Sequence, residues 1–297
     1  MRKAIPFVLG VSFAVAGSVF TAAQEPATMP KILQIQREFI KPGKSGAIHD
    51  KSESAFVEAA ARSKWPTRYV AFNSMSGKSR ALYISAYDSF DELQKSTEFV
   101  DKNPTLSAAI ERASIADGDL LDAYDSAILS YREDLSYSPR PDLSNQKYME
   151  IVEYHIHPGR TKEWIDETKE VVAAHKKAGT NANWAMYHLE YGADEGTYLL
   201  FSADTGLAEI DTGDAMEKKF REAMGDDGMK KLAQVTDHCV DSAVSQLFSI
   251  NPKQSYPPDA WVKANPSFWK PKPMAPAAKP AADAAKPAAA EKKPAGQ

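Results

Sequence analysis

Ile32-Leu33-Gln34-Ile35-Gln36-Arg37-Glu38-Phe39-Ile40-Lys41-Pro42-Gly43-Lys44 decides the fold, because the chain uses it twice. The second copy reads Tyr148-Met149-Glu150-Ile151-Val152-Glu153-Tyr154-His155-Ile156-His157-Pro158-Gly159-Arg160, with Pro158 standing 116 positions after Pro42. Each copy is a strand-like run closed by Pro-Gly and a basic residue, then a helical pattern. In the first copy Leu33, Ile35 and Phe39 alternate with Gln34, Gln36 and Glu38, the two-residue period of a strand. The same offset relates Ser126-Ala127-Ile128 to Ser242-Ala243-Val244 far downstream, so the sequence predicts a duplicated domain.

Outward from the first copy, Ile48, Ala55, Phe56 and Ala59 fall at helical spacing, and Pro66 ends that helix because the residue before proline disfavours the α region. Arg68 to Phe72 and Ala81 to Tyr87 form a hairpin around Ser76-Gly77-Lys78-Ser79. Asp88 to Asp122 reads as helix in two pieces broken near Asn103-Pro104, and Ala127 to Arg132 as a closing strand. The second copy repeats this order. Thr161 to Ala178 is an amphipathic helix, Trp184 to Leu189 and Thr197 to Ala203 a hairpin, Ala215 to Val240 a helix interrupted at Gly225 to Gly228, and Val244 to Ile250 a strand. The expected fold is α+β: two tandem ferredoxin-like βαββαβ repeats, residues 31–136 and 147–253, forming an intramolecular pseudo-dimeric α/β barrel. Helices cover one face of each sheet, so the two open apolar faces need one another.

The 297 residues carry a net charge of −4, unevenly spread. Arg2, Lys3 and a lysine-rich end account for the positive charge at the termini, and the body between them sits near −10. That acidic body argues against general nucleic-acid binding, which needs a basic footprint. Residues 1–23 have the form of a signal peptide: Arg2 and Lys3, an uncharged apolar run from Ala4 to Phe20, then Thr21-Ala22-Ala23 ahead of Gln24. The expected destination is secreted or periplasmic. Cys239 is the only cysteine, so no intramolecular disulfide forms. Residues 270–297 turn to Lys, Pro and Ala, the composition of a disordered tail, either a spacer or a contact for an anionic envelope polymer.

The strand–Pro-Gly–base unit, Glu150 to Arg160 above all, resembles the first strand and turn of NIPSNAP-type domains and, more broadly, of the dimeric α/β-barrel superfamily. That superfamily includes antibiotic-biosynthesis-monooxygenase-like domains, EthD-like proteins and haem enzymes of the chlorite-dismutase type. The resemblance spans about Lys31 to Lys253 and implies the barrel fold. Its members run from cofactor-independent oxygenases to haem proteins and domains without known activity, so it chooses no function. The first copy departs from the pattern at Gln34 and Glu38, where the second has Glu150 and Tyr154, which makes any site asymmetric.

For chemistry, Glu153, His155 and His157 alternate on one strand, and His188 lies on a neighbouring one. Imidazoles spaced i, i+2 can converge on a metal with a carboxylate. The plainer reading makes His155 a half-buried sheet residue and His157 the end of its strand, so no metal is assigned. His155 and His188 are the candidate general bases. Arg37 and Glu153 hold equivalent positions and could pair or orient a polar ligand group inside a shared cavity, with Tyr154 and Tyr187 among its aromatic walls. His175 reads as a packed histidine and Cys239 as a small buried hydrophobe. No cofactor is expected, with haem or a divalent metal left open. Phosphate-binding glycine runs, a Gly-x-Ser-x-Gly elbow and a calcium ladder are absent from the sequence. The expected function is binding of a small apolar or aromatic molecule between the two sheets. A cofactor-independent oxygenase or isomerase is the alternative, and a non-catalytic envelope component acting through the basic tail a second.

Overall fold

The computed structural model describes residues 28–270. The expected signal peptide, residues 1–23, lies outside the described residues, as does the expected tail beyond Lys270.

The first half runs β1 (Ile32–Ile40), α1 (Ala47–Ser63), β2 (Tyr69–Ser74), β3 (Arg80–Tyr87), α2 (Phe90–Asp101), α3 (Pro104–Gly118) and β4 (Leu121–Tyr131). The second runs β5 (Tyr148–Ile156), α4 (Thr161–Ala178), β6 (Ala185–Tyr191), β7 (Thr197–Asp204), α5 (Gly213–Cys239) and β8 (Val240–Ile250). Within each half the first strand pairs antiparallel with the third and the fourth. Short ladders, β2 with β8 and β4 with β6, then join the halves into one closed barrel of order β1-β3-β2-β8-β5-β7-β6-β4. Closure removes the free edges that two separate sheets would expose. Among the described residues, no helix is long and apolar enough to cross a membrane.

The repeated stretch sets which side is which. Leu33 and Ile35 of β1 and Met149 and Ile151 of β5 point into the barrel, where they meet Phe72, Leu129, Tyr187 and Phe248. The alternate residues of β5, among them Tyr154 and Ile156, pack outward with Trp164 of α4 and Val235 of α5. The two apolar faces therefore cover each other, at roughly 1.5–3 kcal/mol for each large side chain buried.

Three local readings change. The 116-position match of Ser126 with Ser242 is not structural: β1 pairs Ile35 with Ala127, and β5 pairs Ile151 with Gln246, an offset of 119 between the partner strands. Strands β4 and β8 begin at Leu121 and Val240, several residues before their apolar patterns do. On α1, Phe56 and Ala59 face inward as expected, but Ile48 is 52% exposed while His49 is 1% exposed, so the first turn presents the histidine instead of the isoleucine.

The chain also continues past the second half in ordered form. Tyr256 bridges to Tyr69 of β2, α6 (Asp259–Ala264) and α7 (Pro266–Trp269) follow, and Trp269 packs into the core at one end of the barrel. Trp269 is 3% exposed, and its indole N–H donates to the Ser144 carbonyl at 2.9 Å.

Candidate functional site

The candidate residues drawn from the sequence fall in different places. Arg37 and Glu153 both face the barrel interior, at the end opposite Trp269, but they do not pair. Arg37 donates to Asp125, while Glu153 Oε1 lies 3.0 Å from His155 Nε2. Arg80 stands near all three charges, with its guanidinium 5.2 Å from the ring centre of Phe248. Burial holds that guanidinium below the ordinary arginine value. This end is a charged rim over an apolar core. His155 belongs to it and also meets Thr197 Oγ1 at 3.3 Å.

His188 does not join His155. It sits on the outer face of β6 against Tyr198, with Nδ1 3.1 Å from Glu190 Oε1. Tyr154 is likewise outward, its ring against Trp164. Tyr187 points inward, 1% exposed, and its hydroxyl donates to the Pro30 carbonyl at 2.9 Å. His175 is packed, stacked on Phe220 at 4.6 Å with Nδ1 2.8 Å from Thr180 Oγ1, and Cys239 is fully buried.

Two cavities carry the chemistry. The first, about 790 Å³, opens at the Trp269 end between the two sheets. Leu33, Phe72, Met149, Tyr187 and Phe201 form its apolar floor, and Trp261 of the C-terminal segment forms a wall. Polar groups, among them Arg68, Asp88, Glu92, Lys95 and Arg140, stand around it. Of these, Arg140 is engaged with the Ala203 carbonyl at 2.7 Å and Glu209 at 3.0 Å.

The second cavity, about 450 Å³, lies between the outer face of β1–β3 and helices α1 and α3. A sheet–helix interface is normally apolar, yet β1 presents Gln34, Gln36 and Glu38 here. Glu53 of α1 and Asp117 of α3 face them, and His49 stands one turn before Glu53. All four charged or titratable side chains are buried, and His49, Glu53 and Asp117 are each at most 3% exposed. His49 Nε2 lies 3.1 Å from Glu38 Oε2, 3.8 Å from Asp117 Oδ1 and 3.9 Å from Glu53 Oε1. Burial, with the charges of Glu38 and Asp117 beside it, pushes the Glu53 carboxyl up to about 9. Burial also raises Glu38, against the opposing pull of the His49 hydrogen bond.

Gln254, fully buried, orients the histidine. Its amide nitrogen lies 3.2 Å from His49 Nδ1 and 3.1 Å from the Asp50 carboxylate, which can only accept. The nitrogen is thereby fixed toward both groups. Nδ1 then accepts, and the imidazole proton sits on Nε2, facing Glu38. Among the described residues, these four are the group whose donor atoms converge closely enough for one ion, all lying within 4.8 Å of one another. Nothing comparable forms around Glu153, His155 and His157. His157 is drawn away toward Asp241, at 3.9 Å.

The second cavity does not fit a haem. It presents three carboxylates, which would repel the propionates. His175, half-buried on α4, is stacked on Phe220 with Nδ1 at Thr180, which leaves no open space over that ring face. The sequence did carry a signal for the cluster: a strand face of Gln34, Gln36 and Glu38 where a helix must pack, and His49 with Glu53 at i, i+4. Asp117 had no local signal, since only the tertiary fold brings it there.

No protein-family model matches the chain, and no curated protein matches it in sequence. Solved structures do. A Fusobacterium nucleatum protein provisionally named a monooxygenase superimposes with a TM-score of 0.51 at 10% identity, over 75% of this chain and 93% of its own. A Lactobacillus acidophilus protein of the same provisional name gives 0.44 at 6% identity, over 74% and 94%. A mutant chlorite dismutase from Candidatus Nitrospira defluvii gives 0.48 at 10%, over 80% and 96%. The Fusobacterium protein shares with this chain the α+β fold of the dimeric α/β-barrel type, a closed antiparallel barrel with helices outside, and at this identity the likeness concerns the fold alone.

Proposed function

We propose that the protein binds a small apolar or aromatic molecule in the cavity between its two sheets. The single observation behind this reading is the 790 Å³ space at the Trp269 end, of a size and apolar character suited to a compact organic ligand. Tyr187 and Phe201 offer ring faces there, and Arg140 stands where an anionic or carbonyl group of the ligand could reach it. The halves are read as tandem ferredoxin-like repeats, each with element order βαββαβ. The closer likeness to NIPSNAP-type domains rests on the strand–Pro-Gly–base units. Export belongs to the same proposal, and a purified mature protein beginning at Gln24 is its expected sign.

The test is a ligand screen read by quenching of Trp261, which lines the cavity, and by native mass spectrometry. Ala86, exposed at the cavity wall, is the site to block. Ala86→Trp should weaken binding at least tenfold while leaving the melting temperature within a few degrees, and unchanged affinity in that variant would remove the cavity from the account.

A second reading, an oxygenase or isomerase acting on an aromatic or apolar substrate, draws on the 450 Å³ cavity, where Glu38 lines the wall with His49 behind it at 3.1 Å. Glu38→Gln should abolish any turnover found in a substrate screen. His155→Ala and His188→Ala, with neither residue lining that cavity, should leave it intact.

A further inference from the structure

The first half buries three carboxylates around one imidazole with no lysine or arginine among them. The second half shows how this fold handles one such group. Glu167, 3% exposed on α4, also lacks a geometrically good hydrogen bond at either oxygen, but it has the Lys231 ammonium of α5 at 2.6 Å to balance its charge. Among the described residues no lysine or arginine pairs with the carboxylates around His49. Instead several buried polar atoms are left without a hydrogen bond: Glu53 Oε1, Asp117 Oδ1, the hydroxyls of Tyr69 and Tyr83, and Gln254 Oε1. Native interiors satisfy such groups, and the two that are carboxylate oxygens, Glu53 Oε1 and Asp117 Oδ1, are what a positive centre among these side chains would satisfy.

We propose that Glu38, His49, Glu53 and Asp117 bind a single divalent first-row transition-metal ion: Mn(II), Fe(II) or Zn(II). Ligand atoms about 2.0–2.2 Å from such an ion stand about 3.0–3.5 Å apart. The separations from His49 Nε2 are 3.1 to 3.9 Å and all four donor atoms lie within 4.8 Å of one another, so the carboxylates must draw inward to reach that spacing. One nitrogen and three carboxylate donors suit these ions, and the nitrogen disfavours Mg(II) and Ca(II), which prefer all-oxygen sites. Two elements supply the rigid frame, since Glu38 sits on a central strand and His49 and Glu53 on one helix face. The three carboxylates line the 450 Å³ cavity, which leaves room for water or a small ligand at the ion's remaining positions.

Binding requires Nε2 to give up its proton. The imidazole then carries its proton on Nδ1 and needs an acceptor there. Turning the Gln254 amide over presents Oε1 to Nδ1, at the cost of the amide's hydrogen bond to Asp50, from which the side chain must draw back, and with its nitrogen left in the position that lacks a partner. Asp50 keeps Asn251 Nδ2 at 2.8 Å and Lys253 Nζ at 3.2 Å when Gln254 leaves it. Gln254 is therefore a positioning residue, carried into the first half by the segment that follows the second.

The test uses the full chain, stripped with chelator and dialysed, then titrated with Mn(II), Fe(II) under anaerobic conditions, and Zn(II). The expected result is one ion per chain with proton release, loss of the free-Mn(II) paramagnetic resonance at equimolar metal, and nitrogen modulation of the bound Mn(II) signal from His49. Glu53→Gln and Asp117→Asn should each weaken binding at least a hundredfold. Both keep the side-chain shape, and relieved carboxylate crowding should leave the stripped protein's melting temperature equal or higher. Gln254→Leu should weaken binding about tenfold and Gln254→Glu should restore it. His155→Ala should change nothing. A free-Mn(II) signal undiminished in the wild type, with no uptake of Fe(II) or Zn(II), overturns the proposal, as does full affinity in both Glu53→Gln and Asp117→Asn. Loss of the organic ligand through Ala86→Trp leaves this result untouched, since that residue lines the other cavity.

Discussion

Glu53 and Glu167 are each the seventh residue of the first helix in their half, and their surroundings differ. Lys231 sits 2.6 Å from Glu167, so removing it should strand a buried charge. Lys231→Met is expected to lower stability by about 1–3 kcal/mol. The double variant with Glu167→Gln should recover most of that loss, because the carboxylate that needed the cation is gone. Urea denaturation of the two variants and the wild type measures both quantities, and a double variant no better than Lys231→Met alone would contradict the pairing. Asp204 at the end of β7 gives a pH signature. Burial, then the charge of Glu209, raises its carboxyl from an ordinary 3.8 to about 6. A raised acid holds its proton more tightly when folded, so its contribution is most favourable below pH 4. That contribution is lost as pH climbs from about 4 to 6 and stays flat above. Asp204→Asn should remove this decline, seen as a denaturation midpoint less dependent on pH across that window and higher at pH 7.

The elements were legible where side chains alternate in burial, and obscure where the backbone alone holds them. Strand β5 reads straight from its sequence because Met149, Ile151 and Ile156 are buried. The first half of β4, Leu121 to Ser126, has no apolar period and is mostly exposed. Its pairing with β1 keeps it extended, and no side-chain pattern could announce that. On α1 the apolar pattern held at Phe56 and Ala59 and failed at Ile48, which faces solvent while His49 faces the interior. At that end of the helix the strand beneath offers Glu38, and the imidazole pairs with it. The break in α5 was readable, as glycines at 225 and 228 flank two aspartates, and its cause is now specific. Gly225 has φ 70° and ψ 170°, a conformation open to little besides glycine. Gly225→Ala should therefore cost about 1–3 kcal/mol, whereas Gly228→Ala, where the backbone stays helical, should stabilise or be neutral. Thermal denaturation of the pair checks the sign, and equal effects would deny the kink its local cause.

At the scale of the molecule, the like order of elements in the two halves accounts for the barrel but not for its asymmetry. Each half leaves an apolar sheet face and two strand edges, and the other half supplies what covers them. The segment after β8 then does what no repeat could predict: Gln254 reaches His49 of the first half, and Trp269 packs into the core at the barrel end. Reading the second unit as ending at Lys253 missed this, because Pro257, Pro258 and the short helices carry no repeat signal and two tryptophans are too few to show a period. The halves are therefore expected to depend on one another. Residues 28–146 made alone would expose Leu33, Ile35, Phe72 and Leu129 along with the free edges of β2 and β4, a surface prone to association. They would also leave His49 Nδ1 without its amide partner. Made alone, residues 28–146 should therefore self-associate or precipitate. Produced together with residues 147–270 they should yield a one-to-one complex with the far-ultraviolet dichroism of the intact chain. Size-exclusion chromatography with native mass spectrometry separates these outcomes. A monodisperse monomer of residues 28–146 that melts at the intact protein's temperature would mean the barrel closure contributes nothing to holding the first half together.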